Sequence, residues 1–319
     1  MKKTISLILS LLLVFTLLAG CAPIDDTRLN IGYMTGPTGI GMAKLIDDNG
    51  GLEGNDKYSF TSFDNTNLAM TKLINGEVDV ICYPTNDAAN FINKNDADIS
   101  VLAINTLGTL FLITDENNSI SSFDELNGKT IYTCKNGTPR VILENLIKAY
   151  DIDATVSYTI GDTEIATPKD LAAQVIAGKI DIAVAPEPIV SNILTKKANF
   201  SLDLDLATVW ENKYNSKLAM GCIIARNDFI NEHKTVIDRF LNEYDASISF
   251  IASKDNRDTS AELVASTGIQ APAANAKVAL GNLENSIKYI DGTEMKQILV
   301  EFYKALGITL PKDEFYYAG

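Results

Sequence analysis

The alternation of apolar and polar positions along the chain states one plan twice. Leu73-Ile74-Asn75-Gly76-Glu77-Val78-Asp79-Val80-Ile81-Cys82-Tyr83-Pro84-Thr85 recurs at a constant offset as Val175-Ile176-Ala177-Gly178-Lys179-Ile180-Asp181-Ile182-Ala183-Val184-Ala185-Pro186-Glu187. In each copy an apolar helix ends at a glycine, the residue that best takes the left-handed position after a helix C-terminus. A β-branched apolar run follows and predicts a buried strand, stopped by a proline with a polar or acidic neighbour. A second correspondence lies upstream. Leu29 to Met34 predicts a strand, Thr35-Gly36-Pro37-Thr38-Gly39 a loop, and Ile40 to Ile46 a helix. In the other half Lys129 to Thr133 is the strand and Cys134-Lys135-Asn136-Gly137-Thr138 the loop. Pro139 suits a first helical position, and Val141, Leu143, Leu146 and Ile147 continue at helical spacing.

Strands alternating with helices predict sheets covered by helices, and two copies predict two α/β lobes. Val101 to Asn105 and Leu110 to Ile113 are apolar strands that carry the chain from one lobe to the other, and Leu218 to Ala225 brings it back. After Asn227 the pattern is mainly helical, over 229–252, 260–266, 273–282 and 292–305. The expected division is therefore 29–115 with 222–319 as one lobe and 116–221 as the other, joined by a two-strand hinge able to close on a ligand.

The N-terminus changes the compartment. Lys2 and Lys3 precede an almost wholly apolar run from Ile5 to Leu18, closed by Leu18-Ala19-Gly20-Cys21. A basic start, a short apolar stretch and small residues predict a secretory signal over 1–20 rather than a spanning helix, which needs about 20 apolar residues. Residues 21–28 are then a tether to the first lobe. The chain is acidic, with formal net charge −14, which argues against nucleic acid as partner. Cys82, Cys134 and Cys222 show no metal-site spacing, so no metal and no cofactor is expected; two of them could pair, and spacing alone leaves the pair open. His233 is the only histidine and lies in a polar helix opening, so no ordered acid–base set is visible.

In open sheets ligands bind beyond the carboxyl ends of the strands, where both loops and both proline turns fall. Candidate ligand contacts are thus Thr35, Gly36, Pro37, Thr38 and Gly39 from one lobe, facing Asn136, Gly137 and Thr138 from the other. The N–H groups opening a helix favour an anionic or accepting group, although Thr38 and Thr138 could instead cap their own helices. Thr85 and Asn86 follow the first proline turn, and Asn105 and Thr106 end the strand at the hinge. Glu187 brings a carboxylate to the second turn, where it would accept hydrogen bonds from an amine, amidine or aminopyrimidine, or bridge the lobes. Helix ends that welcome an anion beside a carboxylate that repels one suit a zwitterion or a heterocycle with donor and acceptor edges. Near a candidate loop the only arginine is Arg140, which disfavours nitrate or sulfate.

Leu-Ala-Gly-Cys resembles the lipobox of bacterial lipoproteins, in which the cysteine carries the lipid; Cys21 would be the anchor, on the outer face of the cell membrane. With it, Gly36-Pro37-Thr38-Gly39 opening a helix, the paired Gly-x-[Val/Ile]-Asp strands and Pro186-Glu187-Pro188 resemble substrate-binding proteins of ABC importers. The closer similarity is to the nitrate/sulfonate/taurine (NMT1/THI5-like) group, which includes thiamine-precursor binders. This resemblance implies a two-lobed periplasmic-binding-protein type II fold, each lobe a mixed sheet flanked by helices. It also implies a monomer that carries a small organic solute, sulfonate-like or heterocyclic, to a permease driven by a separate ATPase. A ligand sensor without transport and a pyrimidine-synthesising enzyme on the same fold stay open as alternatives.

Overall fold

A computed structural model describes residues 25–319 and contains two sheets and a small hairpin. The first sheet uses β1 (Leu29–Met34), β2 (Tyr58–Phe63), β3 (Val80–Pro84) and β4 (Ile99–Thr106). The second begins with β5 (Leu110–Asp115), β6 (Thr130–Tyr132) and β7 (Thr155–Ser157), and the two-residue strands β8 (Thr159–Ile160) and β9 (Thr163–Glu164) form the hairpin. They are followed by β10 (Ile182–Pro186), β11 (Phe200–Asp205), β12 (Gly221–Arg226) and β13 (Ile287–Asp291). Strand order is β13-β4-β12-β3-β1-β2 in one sheet and β11-β5-β10-β6-β7 in the other. Both are mixed: β1 runs parallel to β2 and β3, whereas β12 is antiparallel to β3 and β4.

The repeat folds as its pattern predicts. Helix Thr66–Ile74 ends before Gly76 at φ 72°, and helix Pro168–Ile176 before Gly178 at φ 73°; each glycine then leads into β3 or β10. The copies differ in how they are held. Asp79 is buried, accepts from the Asn30 amide (2.9 Å) and pairs with Arg226 (3.2 Å), whereas Asp181 is exposed.

One expectation needs correction. Strand β5 pairs with β10 and β11, so the chain crosses between lobes at Leu107-Gly108-Thr109 and not at the expected boundary after residue 115. The return comes at Met220–Gly221, where Met220 N–H donates to the Thr106 carbonyl (3.0 Å). The tail after Asn227 is mainly helical, as expected, and adds one strand, β13, which pairs antiparallel with β4. Its five residues are too few and too exposed to stand out from the flanking helices.

The tail does more than complete the first lobe. Helix Ala273–Asn282 packs on helix Ile189–Lys196 of the second. Helix Gly292–Leu306 brings Phe302 within 5.6 Å of the buried Trp210 ring, and its Ala305 carbonyl accepts from Asn145 (3.1 Å). The lobes are therefore tied by two backbone crossings and by helices on both sides. Among the described residues no helix is long and apolar enough to cross a membrane. The proposed anchor Cys21 and the signal segment lie outside the described residues. Part of the tether is packed: Arg28 donates to the Tyr58 carbonyl (3.2 Å), and Asp25 pairs with His233 (2.9 Å).

Candidate functional site

Strands β1, β3 and β10 end at Met34, Pro84 and Pro186, and all three residues line one cavity of about 550 Å3 between the lobes. Thr35, Gly36, Pro37 and Thr38 form part of one wall, and Asn136, Gly137 and Thr138 face them from the second lobe. Gly137 has φ 92° and ψ −177°, a conformation open essentially to glycine, which turns the chain out of β6 and into helix Thr138–Tyr150. Gly36 is extended, at φ 179°, and a side chain there would meet nothing within 4 Å.

Neither threonine caps its own helix. The Thr138 hydroxyl instead donates to Asn86 Oδ1 (2.9 Å), a buried hydrogen bond that joins the lobes. Helix Thr138–Tyr150 therefore opens without a side-chain cap, and Gly137, Thr138 and Pro139 of this opening line the cavity.

The other six candidates do not line the cavity. Gly39 packs its Cα against β1, so that an added Cβ would lie 2.3 Å from the Met34 carbonyl oxygen. Thr85 is fully buried, its N–H donating to the Met220 carbonyl (3.2 Å). Asn86 serves the bond to Thr138. Asn105 donates to the Thr38 carbonyl (3.0 Å) and the Tyr244 hydroxyl (3.1 Å), and accepts from Thr106 (3.0 Å). These residues hold the walls in place and do not form them.

Glu187 is 0% exposed and turned away from the cavity. It accepts from the Ser191 N–H (3.1 Å), the Ser191 hydroxyl (2.9 Å) and the Asn282 amide. Burial pushes its carboxyl above the ordinary glutamate range, and these donors partly offset the effect. Of the two roles open to this carboxylate, the geometry gives the bridge between lobes, made by hydrogen bonds and not by a salt bridge.

Sequence reasoning missed Asp64, Asn65, Thr66, Asn67, Asp87, Thr109 and Thr167, all of which line the cavity. Asp87 lies in the first turn of helix Thr85–Asn95, directly after the first proline turn, and that position was the available signal. Desolvation raises its carboxyl pKa, against a hydrogen bond from Asn86 Nδ2 (2.8 Å). Thr109, in the crossing segment, is 0% exposed and its hydroxyl has no partner. Among the described lining residues there is no lysine, arginine or histidine. A neighbouring groove of about 480 Å3 shares Thr35 and Asp64 and carries Lys169.

A family model described as NMT1/THI5 like matches residues 96–257, half of the chain. The chain belongs to the NMT1/THI5-like family. No curated protein matches it in sequence. Among solved structures, an ABC transporter protein from Parabacteroides distasonis is 22% identical, with TM-score 0.72, over 92% of this chain and 99% of that one. The periplasmic aliphatic sulphonate binding protein SsuA from Escherichia coli is 18% identical, with TM-score 0.69, over 91% and 92%. A zinc-bound ligand-binding component of an ABC-type import system from Staphylococcus aureus is 15% identical, with TM-score 0.65, over 92% and 97%. For this NMT1/THI5-like chain the structural likeness shows the fold, the two-lobed periplasmic-binding-protein type II architecture expected from the sequence.

Proposed function

We propose that this protein is an extracytoplasmic solute-binding protein that captures a small organic molecule between its lobes and delivers it to an ABC permease. One observation carries the reading: corresponding loops of two repeated lobes wall a single cavity of about 550 Å3, within the range of small-molecule sites. Family membership and the printed descriptions of the structural neighbours, import components among them, support it. The protein acts as a monomer with a separate ATPase, held at the outer face of the cell membrane by lipid on Cys21.

The role is binding and not catalysis. His233 pairs with Asp25 and packs at a tilt against Phe229 (4.6 Å between ring centroids), and is not among the residues lining the cavity. The sulfonate-like and heterocyclic solute classes both fit the volume.

Thermal-shift screening of the chain from residue 22 against sulfonates, aminopyrimidines, amino acids and purines tests capture. A solute at 100 times its Kd adds about 2.7 kcal/mol of stability. A chain that gains nothing from any compound contradicts the reading. Neighbouring permease and ATPase genes distinguish transport from sensing. Cys21→Ser, expressed at full length, should move the protein from the membrane fraction to the medium or periplasm; membrane retention would refute the anchor.

A further inference from the structure

Four Asn-Gly pairs occur in the chain: Asn49-Gly50, Asn75-Gly76, Asn127-Gly128 and Asn136-Gly137. In such a pair the glycine amide nitrogen can attack the asparagine side-chain carbonyl, because glycine has no side chain to block the approach. The reaction needs an amide side chain able to turn back on the main chain and a glycine N–H not already donated.

Three of the pairs are held against it. Asn49 is buried, donates to the Leu45 carbonyl (2.9 Å) and accepts from the Asn55 amide (3.0 Å). The Gly76 N–H donates to the Leu73 carbonyl (3.0 Å). Asn127 donates to the Asp124 carbonyl (2.9 Å) and accepts from the Asp153 N–H (2.8 Å), while the Gly128 N–H donates to the Asp153 carbonyl (2.6 Å). The fourth pair differs. Asn136 and Gly137 are both exposed, and among the described residues neither the Asn136 side chain nor the Gly137 N–H has a hydrogen-bond partner. Both line the cavity, immediately before helix Thr138–Tyr150. An exposed loop asparagine is ordinary in itself; the undonated glycine N–H and the place in the cavity wall set this one apart.

We propose that Asn136-Gly137 is a self-modification site at which the cavity wall ages. The Gly137 nitrogen bonds to Asn136 Cγ, the Cγ–Nδ2 bond breaks, and ammonia leaves with the proton from Gly137. Water then opens the ring at either carbonyl, leaving aspartate or isoaspartate at position 136. Either product adds a carboxylate to a lining that holds Asp64 and Asp87 and, among the described residues, no lysine, arginine or histidine. That carboxylate competes with a solute's own acceptor for the helix opening. Isoaspartate also lengthens the main chain by one carbon just before Thr138, whose hydroxyl reaches Asn86 of the other lobe (2.9 Å). Aged copies therefore lose solute affinity, a consequence that rests on the capture reading above.

Peptide mass spectrometry of the chain from residue 22, incubated at mildly alkaline pH, tests the site. Acid should appear at 136 at least about tenfold faster than at 49, 75 or 127, since a hydrogen bond that must first break is worth about that factor. In guanidinium the four rates should converge. A native rate at 136 no higher than at the other three, or a lead that persists in the unfolded chain, overturns the proposal. The sulfonate, aminopyrimidine, amino-acid and purine panel tests the consequence by thermal shift. Every compound that stabilises fresh protein should stabilise Asn136→Asp less, and Asn136→Gln, whose longer side chain closes the ring far more slowly, should respond after ageing as it did before. An undiminished response in Asn136→Asp overturns the loss of affinity. A panel without a single hit overturns capture, and this consequence with it, while the mass spectra still decide the site.

Discussion

Asn105 shows how the sequence of this protein supports a cavity wall from behind. Replacing it with alanine removes two donated hydrogen bonds, to the Thr38 carbonyl (3.0 Å) and the Tyr244 hydroxyl (3.1 Å), and the acceptor for Thr106 (3.0 Å). The Tyr244 hydroxyl keeps Cys82 Sγ at 3.4 Å, and the Thr106 hydroxyl keeps the Pro37 carbonyl at 3.5 Å. The Thr38 carbonyl alone loses its side-chain donor outright. One buried group stripped of its partner costs about 1–3 kcal/mol. The small void left by the amide adds roughly 1 kcal/mol. Asn105→Ala should therefore lose about 2–4 kcal/mol, which at roughly 2 °C per kcal/mol lowers Tm by about 4–8 °C. Asn105→Asp keeps the volume but sets a carboxylate against the Thr38 carbonyl, and should be at least as damaging. Because Thr38 lines the cavity, solute affinity measured by calorimetry should fall with stability in both variants. A Tm within about 1 °C of wild type for the alanine variant, or a tolerated aspartate, would refute this network.

Three further outcomes follow from buried groups and backbone shape. Glu187 has a carboxyl pKa raised by burial, so its folded form holds a proton that the unfolded chain releases earlier, and stability falls as pH rises from the ordinary glutamate value through the folded one. Glu187→Gln removes that slope: by differential scanning calorimetry the variant should gain on wild type as pH rises above the ordinary glutamate value, and an unchanged difference contradicts the raised pKa. Cys82, Cys134 and Cys222 are buried free thiols pushed up to about 12, 11 and 12 by desolvation. Ellman's reagent at pH 8 should find all three silent in the native protein and reactive in guanidinium; fast native labelling of any one would contradict its burial. Gly137→Ala forces a side chain into a glycine conformation and should cost about 1–3 kcal/mol in thermal melts, whereas an unchanged Tm would mean the turn is built differently.

Much of this architecture is legible in the sequence because it is local. The glycine that ends each repeated helix, the β-branched run and the proline stop all act within a dozen residues. They fold alike in both copies, with Gly76 and Gly178 at nearly the same φ. The two carboxylates after the proline turns show where local reading ends. In the first copy the helix begins at Thr85, directly after Pro84, and carries Asp87 on its first turn toward the cavity. In the second, Pro188 delays the helix to Ile189, and Glu187 turns inward to accept the Ser191 N–H. The carboxylate that lines the cavity is Asp87, whereas Glu187, expected there, is buried behind it. Its partner Asn282 lies 95 positions away, and nothing local announces such a contact. The same holds for Asn105, whose partners Thr38 and Tyr244 are gathered from opposite ends of the first lobe.

Gly36→Trp offers the sharpest test of where the solute goes. Gly36 lines the cavity in an extended conformation any residue can adopt, with nothing within 4 Å of an added Cβ, so the indole can fill the gap without straining the fold. Calorimetric titration of wild type and variant with the same solute should give binding in the first and none in the second, with Tm shifted by no more than about 1–2 °C. A variant that melts like wild type and still binds as tightly would place the solute somewhere other than between the lobes.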